Sequence, residues 1–397
     1  MSRLHSSFRL FFLAVAAVVS TPIVSCNSIN ATPVDAGADA PIDNGPFVAP
    51  TDPGKGGFFV TVSGESLAVT GYDWTSGSLA EGDPPGFVDG WEVRFEHVIL
   101  TLGNIRLNAD PDKDPGAPDK LGALVAEAMG PFAVDVTLGG SITGKSSDAN
   151  EKTVAIAAFS REVANFDPAT RYAFSYDTLA ASKNAKIVNL DGAGLAVYEE
   201  ATRKGYAMVL QGTATYKAPA RLAGSTFAKM PKSVRFTLGL TNPSSYLNCR
   251  NTDLQKIGDE FPRGIQADVN KSVTTQITIH TDHAFWSKLN VEGTPLHFDP
   301  IAANSSTFGT NDSSATVSID DLANVDVTGF KTKTGEHLLW RTEVSDYTEP
   351  SGQVRYDTNG TSFQKVNSYA SYLAYSAASG GHLNADGECV VKNNFVP

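Results

Sequence analysis

Apolar and polar residues alternate with a period of two along most of the chain after residue 57. GGFFVTVSG begins the series, and GWEVRFEHVILTLGNIRL continues it with Trp91, Val93, Phe95 and His97 on one parity. FAVDVTLGG, RYAFSYDTL, AKIVNLDG, GYAMVLQGTATY, SVRFTLGL and TQITIHTDH follow, parted by Gly, Pro, Asn and Asp. Successive strand side chains point to opposite faces, so this alternation predicts half-buried strands between turns. The result expected is a mainly β chain, an antiparallel β-sandwich of one or two lobes with a few short helices. Helices are expected at LGALVAEAMG (121–130), at HAFWSKL after His283, and at SIDDLANV, where Ser318 and Asp321 have capping-box spacing. APARLAGSTFAKMPK (218–232) is the expected division between a lobe at 56–217 and a lobe at 218–397.

The first 55 residues break the pattern. MSRLHSSFR carries two arginines and no acid, and LFFLAVAAVV is an apolar run of ten, too short to span a bilayer. Together they predict a secretory signal peptide over residues 1–25. Ile23-Val24-Ser25-Cys26 resembles the lipobox of bacterial lipoproteins. The resemblance implies diacylglycerol on the Cys26 sulfur and an acyl chain such as palmitate on its amine, making membrane lipid a partner. Asn27 is unlike the aspartate that retains lipoproteins at the inner membrane, so an outer-membrane location, on the periplasmic or cell-surface face, is expected. Residues 26–55 are rich in Pro, Asp and Ala, bury too little apolar area to offset ordering, and read as a disordered tether.

Export implies an oxidising compartment. With Cys26 lipidated, Cys249 and Cys389 are expected to be bridged, closing a loop that chain entropy values at about 5 kcal/mol. The 43 acidic residues outnumber the 31 basic ones, a net charge of −12 that becomes −14 once the two leader arginines are removed. That balance argues against nucleic acid or anionic lipid headgroups as recognition targets and suits cation binding.

Several motifs carry chemistry by spelling alone. Gly139–Ser146 matches the phosphate-binding pattern G-x-x-x-x-G-K-S, but that loop needs a βαβ unit, whereas the surrounding pattern is antiparallel. A polar turn is expected there, with no nucleotide. DPDKDPG spaces Asp110, Asp112 and Asp114 like the start of an EF-hand, yet its glycine comes one place late and no glutamate stands near the twelfth position. It reads as a solvated acidic turn. Tyr369, Tyr372 and Tyr375 are spaced by three, which core packing explains more simply than sugar stacking. No G-x-S-x-G, H-E-x-x-H or C-x-x-C occurs.

The histidines remain. His280 and His283 stand three apart where a strand beginning at Val273 ends, with Ile277 and Ile279 on one face and His280 and Asp282 on the other. Imidazole suits zinc and copper, and a site needs three or four ligands from separate segments. His97 is the expected third ligand, with Asp282, His297, Asp299, His382 and Glu65 as further candidates or as acceptors that fix a tautomer. The plainer alternative is that these rings cap loops. VRFEHVILTLGNIRL, FDPATRYAFSYDTL and FTLGLTNPSSYLNC, about a third of the chain, resemble the MbnP-like periplasmic copper-binding proteins associated with methanobactin. That resemblance implies copper or another metal and names no ligand here. The expectation is a lipid-anchored extracytoplasmic binding protein holding metal through histidines. The alternatives are a surface interaction or adhesion protein meeting another envelope protein, and a metal-dependent hydrolase.

Overall fold

The computed structural model describes residues 46–74, 85–146, 151–162, 164–219, 223–310, 314–339, 352–362 and 365–395. The expected signal peptide, Cys26 and the expected tether as far as residue 45 lie outside them. All described residues fall in one compact unit, Asp43–Pro397.

The alternating segments form two sheets. The smaller has the order β16-β15-β13-β1-β6-β5, from β1 (Phe58–Ser63), β5 (Ile142–Thr143), β6 (Lys152–Phe159), β13 (Val273–Ile279), β15 (Gly381–Leu383) and β16 (Gly387–Glu388). The larger is centred on β2 (Trp91–Asn108), flanked by β7 (Arg171–Thr178) and β9 (Met208–Tyr216). β9 leads through β10 (Ser233–Leu240) to β14 (Ser314–Ser318), and β7 leads through β11 (Ser244–Leu247) to β17 (Val390–Asn393). β3 (Leu124–Ala128) and β4 (Phe132–Asp135) also pair with β2, β8 (Lys186–Ile187) with β4, and β12 (Ile265–Gln266) with β7. The helices are α1 (Glu65–Thr70), α2 (Gly192–Lys204), α3 (Asp299–Ala302), α4 (Ile319–Leu322) and α5 (Tyr369–Ala378).

One apolar core joins both sheets. Phe58 and Ile277 from the smaller sheet, Trp91 and Phe236 from the larger, and Tyr369 and Tyr372 from α5 belong to the same buried cluster. The mainly β class holds, but the sheets are mixed: β1–β13, β10–β14 and β4–β8 run parallel. Alternation predicts a strand and its buried face and is silent on the direction of its partner. The division expected at 218–232 does not separate two lobes. That segment links β9 to β10 within one sheet, and β1 pairs with β13 from the other side of it.

Three local expectations change. LGALVAEAMG contributes strand β3, pairing Ile105 with Ala128, because the long β2 edge supplies backbone partners that override its helical propensity. HAFWSKL gives only a 3-10 turn, Asp282–Phe285. The tether ends early: Phe47 meets Phe132 edge-on at 6.2 Å, and Ser272 Oγ donates to Asp52 at 2.9 Å. By contrast, α4 has the Ser318/Asp321 capping box. α2 was not foreseen, although Asp191 caps it by accepting from Gly194 N–H, and Gly205 ends it in the left-handed conformation.

Cys249 and Cys389 are joined by a disulfide, with their Cα atoms 3.9 Å apart. It ties the segment after β11 to the segment between β16 and β17. The Gly139–Ser146 stretch contains β5, antiparallel to β6, and Lys145 Nζ pairs with Asp253 at 2.6 Å. In DPDKDPG, Asp112 pairs with Arg171, and Asp114 with Lys120 at 2.9 Å.

Candidate metal centre

β13 positions the site. Its Ile277 and Ile279 enter the core, so Gln276, Thr278 and the following His280 take the opposite face. β15 lies antiparallel beside it, with His382 opposite Thr278 and His280 N–H donating to Gly380 O at 2.8 Å. His280 and His382 are therefore diagonal neighbours on one face, and their rings stack at 4.5 Å and 15°. A Cβ on Gly380 would stand 2.6 Å from His280 O, so only glycine lets the chain turn into β15 this close.

His283 arrives from the 3-10 turn. Its ring is 5.5 Å from that of His280 and 5.6 Å from that of His382, edge-on to both. One ligand atom from each of the three lies within 4.8 Å of the others, so the triad could hold a metal ion. Trp286 stacks on the other side of His283 at 3.6 Å. Helix α5 clamps the turn: Ser376 Oγ donates to His283 O, and Tyr372 O–H donates to Trp286 O at 3.1 Å.

Ser379 decides the tautomer of His283. Its hydroxyl donates its single proton to Ser376 O at 2.7 Å, and the same oxygen lies 2.8 Å from His283 Nδ1. The oxygen must then accept from Nδ1–H, which leaves the lone pair on Nε2. A ring held in this way is the form that ligates metal.

The electrostatics keep two of the rings neutral. Burial pushes His283 well below the ordinary histidine value, and nearby His382 and His280 push it further. Burial takes His382 down to about 3, with His280 adding, against opposition from the backbone at Asp386 and Ser379. Its Nδ1 is buried and makes no hydrogen bond of ordinary geometry. Carboxylates stand around the group without entering it. Glu65 and Asp386 approach His280 Nε2 at 3.9 and 4.0 Å. Burial raises Glu65 to about 7 against the opposing charge of His280, and Glu65 begins α1 with φ 58°.

The expected ligand set is partly corrected. His280 and His283 come together, and the third member is His382 in place of His97. A bulge in β2 between Phe95 and His97 shifts the register, so Phe95 opposes Gly212 while His97 opposes Gln211. The extra residue throws His97 to the face opposite Phe95, where its Nδ1 meets Asp135 at 2.6 Å and the first turn of α2 passes against it. Of the further candidates, Asp282 accepts from Trp286 Nε1 at 3.1 Å. His297 lies 3.8 Å from Asp89, and Asp299 accepts from Trp91 Nε1 at 2.8 Å, both outside the triad. Ser379 was not foreseen, since nothing in the sequence ties the end of one helix to a turn almost a hundred residues away.

A cavity of about 430 Å³ adjoins the triad, lined by His283, Trp286, Glu292, Ser379, His382 and Glu388 among others. No protein-family model matches the chain, and no curated protein or solved structure matches it either.

Proposed function

We propose that this chain is a lipid-anchored, extracytoplasmic metal-binding protein whose centre is His280, His283 and His382, with zinc or copper as the metal. One observation carries the reading: three imidazoles from two paired strands and a turn converge, two of them kept neutral by burial. Neutral nitrogen donors suit zinc and copper over calcium or magnesium, which prefer oxygen. The lipobox at Ile23–Cys26 supports an anchor in the outer membrane, and the resemblance to MbnP-like proteins favours copper.

Elemental analysis by mass spectrometry tests the centre, on chain purified without a metal-binding tag. Near-stoichiometric zinc or copper, absent from the His280→Ala/His283→Ala variant, is the expected result. No metal in either protein after reloading would leave the rings a structural role and turn attention to protein partners. Unchanged mobility of Cys26→Ala on a denaturing gel would remove the lipid anchor. The cavity favours a second reading, a metal-dependent hydrolase, because three protein ligands beside a cleft leave a position for substrate. Turnover of an ester panel by the metal-loaded chain, lost with the metal, would establish it.

A further inference from the structure

The cavity beside the triad has its own chemistry. His283 and His382 both line it, so a metal held by the triad borders this space. Among the described residues, its charged lining residues are Glu292 and Glu388, with Asn290 and Ser379 as neutral polar groups and no lysine or arginine. Glu388 stands directly opposite His382 across the β15–β16 pair, on the same face of the sheet. Glu292 feels Glu388, Asp386 and Asp282 as like charges and His280 as the opposing one. Arg250 reaches Glu388 at 4.0 Å and is already paired with Glu260 at 2.8 Å.

These charges bear on what a metal could accept. Three neutral imidazoles leave the full charge of a divalent ion, which by itself would draw anions. Glu292 and Glu388, at the exposed rim of the cavity, oppose that pull. A space of this volume holds a small organic molecule. Resting on the metal centre proposed above, we propose that its remaining coordination position opens into this cavity and takes a small molecule that donates a neutral nitrogen, uncharged or positively charged elsewhere, in preference to an anion.

The full chain loaded with Co²⁺ provides the readout, since cobalt absorption reports each new ligand. Imidazole, at mildly alkaline pH, and azide are titrated into the wild type and into Glu292→Gln/Glu388→Gln. Both carboxylates are exposed, so the amides should fold as the wild type does. Both probes should change the spectrum, and the ratio of azide to imidazole dissociation constants should fall roughly tenfold in the variant as azide tightens. An unchanged ratio overturns the charge selection, and a spectrum that neither probe alters overturns the open position. A wild type that takes up no cobalt, or takes up as much after His280→Ala/His283→Ala, overturns the metal centre itself and the inference with it.

Discussion

Two buried histidine environments on this molecule differ in what sits beside the ring. His97 has Asp135 at 2.6 Å, and the second oxygen of that carboxylate receives Val98 N–H, Thr137 N–H and the Thr137 hydroxyl. In the triad, each ring meets the other two at 4.5 to 5.6 Å, the polar partners are neutral oxygens, Ser379 Oγ at 2.8 Å from His283 Nδ1 and Ala385 O at 3.4 Å from His280 Nε2, and carboxylates approach His280 only at 3.9 and 4.0 Å among the described residues. A ring with a carboxylate partner is satisfied by the protein, whereas rings that bury one another keep donor atoms for something else. Burial alone therefore does not mark a ligand; the partner does.

Substitution of the rings gives the sharpest test of this contrast. His382→Ala should weaken metal binding by more than about a hundredfold in a chelator competition, as the loss of one of three ligands. His97→Ala should leave metal affinity unchanged and lower unfolding stability by about 3 kcal/mol, because Asp135 is left buried without its partner. The reverse result would place the metal at His97 and break the comparison.

Acid should separate the two environments next. A histidine in the unfolded chain titrates near 6.5, and His382 in the fold near 3, so its neutral ring favours folding above about 6.5. That contribution is lost as pH falls from 6.5 towards 3, and His283 shifts in the same direction. Glu65 has the opposite sign: raised from 4.5 to about 7, it favours the fold when protonated and loses that contribution as pH rises through 7. The two rings lower the stability of the metal-free chain as pH falls below about 6.5, and Glu65, with Asp282 and Glu292 raised in the same direction, opposes them. In denaturant unfolding, His382→Gln should lose less stability on acidification than the wild type, and Glu65→Gln should lose more.

The smallest effect sharpens the tautomer assignment. Ser379→Ala removes the acceptor of His283 Nδ1–H and should weaken metal binding roughly tenfold without changing its stoichiometry. No change in affinity would mean that the turn and Trp286 orient the ring unaided.

Much of the strand content was legible, as were two of the three histidines of the centre. The FFVTVS, RYAFSYDT and VTTQITI alternations appear as β1, β7 and β13 within a residue or two. The pair His280 and His283 was visible because a strand pattern stops between them. LGALVAEAMG shows where local reading fails: its small and aliphatic residues suit a helix, but it lies along β2 because an unpaired strand edge is costly.

By itself, the sequence determined which segments extend, which faces they bury and where the chain is interrupted by turns, because alternation and turn chemistry act over a few residues. Only the tertiary structure decided the centre. The β13–β15 pairing brings His382 to His280 from 102 positions away, while one bulged residue in β2 removes His97 from its expected face. Strand partners and bulges are settled by packing of the whole sheet, and no short window of residues contains that information.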